Sequence, residues 1–169
     1  MFIKSLFTRP VTITDAYERA RSLHWLYVFS PIALIIVAYF LKNSVVGEGI
    51  VTMDPQTYNM LYYIAWLLVF VVALIVFLVA PRRSSPIVIA TKSVATSKEV
   101  FLNELQSGQQ ATSGWINSIA TVGFVLFLFN GNLLDFVVFT AITLLFFLLT
   151  FPRFKQWEDA ARIITPQLT

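Results

Sequence analysis

From Trp115 to Phe151 the chain carries one charged side chain, Asp135, in an otherwise apolar run. At 1.5 Å per helical residue this stretch is nearly twice the roughly 30 Å of a bilayer's hydrocarbon core. It therefore reads as two apolar helices with a break. Asn130-Gly131-Asn132 marks the break, because Gly and Asn tolerate the positive φ of a tight turn. Two earlier runs, 23–41 and 58–80, contain no Asp, Glu, Lys or Arg. The pattern predicts an all-α integral membrane protein with four transmembrane helices in two hairpins: 23–41, 58–80, 115–129 and 134–151. Residues 81–114 form a loop with a short amphipathic helix, 152–169 form a tail, and 1–169 make one membrane domain. Composition agrees, since 57% of residues are hydrophobic and only 12% are charged, where a soluble domain carries about 25% charge.

Basic residues set the expected orientation. All twelve Lys and Arg except Lys42 fall in the N-terminal segment, the middle loop or the tail, while Glu48, Asp54 and Asp135 occupy the other two loops. The positive-inside rule then places both termini in the cytoplasm, in a membrane of the bacterial inner (cytoplasmic) type. The run 23–41 is 19 residues long and lies behind 22 residues of charged leader, so it is expected to remain as an anchor. The net charge of +3 is distributed as topology signals beside apolar segments, so no nucleic-acid partner is expected.

Helix ends carry local signals. Asp15-Ala16-Tyr17-Glu18 approximates a capping box, predicting a first helix that begins near Asp15. Pro31 interrupts its backbone bonding, which membrane helices tolerate. Asp54-Pro55 reads as an N-cap followed by proline at the first helical position. Asp135, just after the turn, is expected to be a helix-start carboxylate facing the positive end of the helix dipole. The sharper alternative is a pore mouth or an outer cation site, though no second carboxylate stands nearby in sequence to complete a metal site.

Polar residues inside the spans are few. Asn117 and Thr121 share one helix face, as do Thr140 and Thr143. Folding about Gly131 brings the two faces to similar depth, so they are expected to pack the hairpin through interhelical hydrogen bonds, or to line a pore between copies. Phe124, Phe127, Phe146 and Phe147 are expected to meet lipid or neighbouring subunits.

The cytoplasmic segments are amphipathic. Thr96-Ser97-Lys98-Glu99 reads as a capping box opening a helix with an apolar stripe of Val100, Phe101 and Leu105, ending near Gly108. Phe2, Ile3, Leu6 and Phe7 begin the chain in similar style, and Phe154, Trp157, Ala161 and Ile164 form a stripe in the tail, with Glu158 and Arg162 paired at i,i+4. Phe101, Leu105 and Trp157 are thus candidates for docking on headgroups or on another protein.

The absences narrow the chemistry. Cysteine is missing, so thiolate catalysis and cysteine-held metals are excluded. The sequence contains no Walker A, G-x-S-x-G or H-E-x-x-H pattern. His24, the only histidine, cannot supply bis-histidine haem ligation alone. No catalytic, cofactor or metal site is expected. The reading that remains is a non-catalytic accessory or scaffold subunit among other membrane subunits in the lipid bilayer. A homo-oligomeric channel or transporter is the alternative, and a membrane partner for quinone or haem chemistry held by other chains is a third.

Overall fold

A computed structural model describes residues 12–44, 53–92 and 98–164. The elements are α1 (Ile13–Ser44), α2 (Pro55–Leu74), a π-helical turn (Ile75–Val79), α3 (Ala80–Ser84), α4 (Pro86–Lys92), α5 (Lys98–Asn130), α6 (Leu133–Leu149) and α7 (Phe154–Ile164), with no strand among the described residues. Three helices, Ile13–Asn43, Pro55–Arg82 and Val100–Asn130, are long and apolar enough to cross a membrane. A fourth is reached if α6 and α7, bent by 44° across their break, count as one span.

The starts of these helices follow from their capping chemistry. α1 is opened by Thr12, whose Oγ1 accepts from Asp15 N–H at 3.1 Å while Asp15 Oδ2 accepts from Thr12 N–H at 3.1 Å. The box is therefore T-x-x-D, and Asp15 is its third helical residue rather than the cap. α2 starts as the sequence predicts: Asp54 caps it, accepting from Gln56 and Thr57 N–H, and Pro55 takes the first position. Between α5 and α6, Gly131 adopts φ 67° and donates to Phe127 O at 2.7 Å, ending α5 in the left-handed conformation that glycine favours. Asn132 then caps α6 by accepting from Leu134 N–H.

One boundary differs from expectation. The amphipathic helix predicted to stop near Gly108 continues through it, and α5 is a single helix of 33 residues. Glycine inside a helix costs only about 1 kcal/mol, and burial on both sides of Gly108 outweighs it. The segments at Thr96-Ser97 and Phe2–Phe7 lie outside the described residues.

The π turn has a local cause. Pro81 has no N–H to offer and its ring crowds the carbonyl four residues back. The helix widens ahead of it, with Ala80 N–H bonding to Ile75 O.

Packing centres on the α5–α6 pair. α1 lies along both of these helices, whereas α2 packs mainly on α5, and α1 and α2 make no extensive contact with each other. The pair packs tightly at Gly123, where an added Cβ would stand 2.5 Å from Phe139 Cβ. Ala65, Val69 and Val72 of α2 meet Ile116, Ile119 and Leu126 of α5 and Phe139 of α6 in the main bundle core. Ala38, Phe127 and Phe136 form a smaller core beside the turn.

At the opposite end, where most of the described Arg and Lys lie, a separate core joins Ala16 and Ala20 of α1, Ile89 and Ala90 of α4, Phe101, Leu102 and Leu105 of α5, and Trp157 and Ala160 of α7. We call this the cap.

Candidate functional site

The cap overturns the docking assignment for Phe101, Leu105 and Trp157. Each is 2% exposed and packed into the cap core, so none is open to a headgroup or a partner. The physical reason is mutual: each amphipathic stripe has another stripe of the same chain to cover it, which removes more apolar surface from water than separate adsorption would. The tail stripe reads as the sequence suggests along its polar side, where Arg162 and Glu158 pair at 2.8 Å. That carboxylate raises the pKa of the Arg162 guanidinium above its ordinary value.

Two of the four phenylalanines are corrected in the same sense. Phe127 and Phe147 are buried, and Phe124 and Phe146 pack against the cores beside them. Phe124 stacks edge-on to Phe136 and Phe146 edge-on to Phe77. Phe127 and Phe147 thus fill the bundle, whereas Phe124 and Phe146 remain partly exposed at its edge.

Three polar groupings remain, and the most connected stands where the bundle meets the cap. Pro152 stops α6, leaving carbonyls of its last turn without helical donors. Side chains from two other helices reach one of those oxygens and two in the break that follows. His24 Nε2 lies 3.1 Å from Phe147 O, Gln109 Nε2 donates to Thr150 O at 3.4 Å, and Tyr17 O–H donates to Pro152 O at 3.3 Å. Only a donor satisfies a carbonyl, so His24 carries its proton on Nε2. Its Nδ1 is then an acceptor, facing Ser113 Oγ at 3.3 Å and Gln109 Nε2 at 3.4 Å. Phe147 and Phe151 stand edge-on to the imidazole at 5.2 Å each.

Ser113 and His24 have the residue types of a nucleophile and its base, but each is 1% exposed. The imidazole's other nitrogen is committed to a backbone carbonyl. What this arrangement does chemically is hold α1, α5 and the end of α6 in one register. The signal for it in the sequence is a lone histidine at a helix entry, with Gln109 and Ser113 four apart on another helix.

The second grouping is at the turn. Asp135 stands in the first turn of α6. Its Oδ2 accepts from Tyr58 O–H at 2.9 Å and from Asn132 Nδ2 at 2.8 Å, which ties the start of α2 to the start of α6. Asp54, at the same end, is held below the ordinary carboxylate range by hydrogen bonds from Thr57 and Gln56.

The third is the set of span residues, and the two polar faces do not meet as expected. The inward face of α5 is set by Ile116, Ile119, Ala120, Gly123, Leu126 and Phe127, all buried. Thr121 is left exposed on the opposite side, donating to Asn117 O at 3.2 Å. Thr143 is buried and donates to Phe139 O at 2.8 Å. Asn117 Oδ1 and Thr140 Oγ1 are buried without a hydrogen-bond partner. Thr140, 1% exposed, cannot line a pore between copies. Apolar packing decided the rotation of α5, and the Thr121 and Thr143 hydroxyls bond within their own helices instead of across the hairpin.

No group of three or more His, Asp or Glu side chains comes together among the described residues. Comparison with known family models, curated proteins and solved structures finds no match to this chain.

Proposed function

We propose that this chain is a non-catalytic accessory or scaffold subunit of a larger assembly in a cytoplasmic membrane, crossing it four times with both termini inside. The orientation rests on the one-sided distribution of Lys and Arg. The fourth crossing rests on α6, whose 17 residues span about 26 Å before the 150–153 turn.

The observation that carries the subunit reading is the outward face of α5. Gly114, Ser118, Thr121 and Val125 follow one another at helical spacing away from the bundle core. A side chain added at Gly114 would meet nothing within 4 Å, Thr121 is exposed, and Val125 is 42% exposed. The Ser118 and Thr121 hydroxyls donate to Trp115 O and Asn117 O of their own helix, so they leave no unsatisfied group toward lipid. By contrast, the exposed residues of α1 and α2 are bulky: Leu26, Phe29 and Phe40, and Tyr63, Leu67 and Phe70. Bulky faces suit acyl chains, whereas small and hydroxylated faces let another helix approach closely.

The test is gentle purification followed by mass spectrometry. Wild type should bring down other membrane polypeptides at fixed stoichiometry, and Gly114→Leu or Ser118→Leu should lose them while the chain itself remains folded. A lone symmetric oligomer that carries a selective flux in liposomes, abolished by Asn117→Ala, would replace the subunit reading with the channel.

A further inference from the structure

The π turn creates a feature that the subunit reading does not use. Where the helix widens before Pro81, a cleft of about 110 Å³ opens between the end of α2 and α5. One wall is Ile75, Val76 and Ala80, and the other is Gly108, Ala111 and Thr112. Its only side-chain hydroxyl, Thr112 Oγ1, already donates to Gly108 O at 2.9 Å. The walls between are therefore apolar and suit hydrocarbon. Trp115, 49% exposed, stands at its rim, an amphipathic ring of the kind found at headgroup level.

Charge complements the cleft from one side. Arg82 follows Pro81 directly and is exposed. Residues 55–92 contain no Asp or Glu, and the nearest acid on α5, Glu104, lies one turn beyond Gly108 on the cap side. An apolar slot with an exposed arginine two residues beyond its lining residue Ala80 matches a molecule with a hydrocarbon tail and an anionic head.

We propose that this cleft is a binding site for one anionic phospholipid of the cytoplasmic leaflet, with an acyl chain between α2 and α5 and its phosphate at Arg82. The leaflet assignment rests on the orientation proposed above. The binding itself does not, and cysteine labelling tests orientation separately.

The experiment uses the full chain in detergent with phosphatidylglycerol or phosphatidylcholine of identical chains, read by native mass spectrometry. Phosphatidylglycerol should be retained preferentially, as one bound molecule. Arg82→Gln should lower its retention about five-fold, the scale of one basic residue at an anionic surface, and leave phosphatidylcholine unchanged. Ala111→Phe, which fills the slot, should lower retention of both lipids, while Arg162→Gln should change neither. On wild type, phosphatidylglycerol with a photoreactive chain should crosslink to 75–80 and 111–115, a result that stands even if Ala111→Phe does not fold. Equal retention of the two lipids, an Arg82→Gln variant that behaves as wild type, or crosslinks spread evenly around the bundle would overturn the proposal. A protein chain trapped in the cleft of the isolated assembly would overturn it in favour of a partner helix.

Discussion

The two ends of the molecule are joined by different means. At the turn end, Asp135 gathers two donors on one oxygen, from Tyr58 and Asn132, beside a small core of Ala38, Phe127 and Phe136. At the cap end, a core drawn from four helices is underlain by His24, Gln109 and Ser113, which bond to one another and to the Phe147 and Thr150 carbonyls at the end of α6. The turn end is fixed locally, by residues close to a chain reversal. The cap end has to bring together segments that are distant in sequence, and it does so with apolar burial first and a buried polar network second.

If that contrast is right, substitutions at the cap end should cost more. Trp157→Ala removes the largest side chain of the cap core and should destabilise it by about 3–5 kcal/mol, read as early proteolysis within the cap while the long helices persist. A charged residue at Phe101 should act in the same direction. An unchanged protease pattern would mean that the cap does not fold around Trp157.

Between the two ends, Gly123→Ala tests the helix pair itself. The new Cβ would meet Phe139 Cβ at 2.5 Å, a backbone-proximal atom that cannot swing aside, so about 1–3 kcal/mol of overpacking is expected in denaturant unfolding. His24→Leu should follow closely, at about 1–3 kcal/mol, because Phe147 O loses its donor while staying buried. Recovery of part of that loss by His24→Gln, which can still donate, would separate the hydrogen bond from simple packing.

At the turn end the effects shrink. Tyr58→Phe removes one donor to Asp135 and should cost about 1 kcal/mol, and Asp135→Asn about the same or less. A larger loss at Asp135 than at His24 would reverse the comparison. The smallest effect is that of acid on Asp54. Its folded pKa lies below the unfolded value, so its capping contribution is fully present above about pH 4 and is lost as pH falls through the folded pKa. A thermal-melt series down to low pH should show a shallow decline in wild type that is reduced in Asp54→Asn, since Asn also caps helices.

The sequence made the helices legible wherever a single physical signal was sufficient. Uncharged runs located the long apolar helices, Asp54-Pro55 fixed the start of α2, and Gly131 fixed the turn. It was less informative where two signals competed. Asn117 and Thr121 on one side and Ile116, Ile119 and Gly123 on the other make competing claims to the inward face of α5, and polarity alone does not show that close packing against Phe139 wins. Phe101, Leu105 and Trp157 were legible as apolar stripes but not as one another's partners, because amphipathicity reports that a face will be covered without saying by what. His24 was visible as a lone residue, and its role depended on Gln109 and Ser113, which lie far along the chain.

The continuity of α5 has a mechanical consequence. Its 33 residues form a rod of about 50 Å, clamped at one end in the cap by Phe101 and Leu105 and running the length of the bundle to the turn. A stiff rod clamped in this way acts as a lever: a load that tilts the cap is delivered as torque along the whole shaft, including the outward face at Gly114, Ser118 and Thr121. Whatever presses against that face is coupled to the cap by leverage, without any rearrangement of side chains between them.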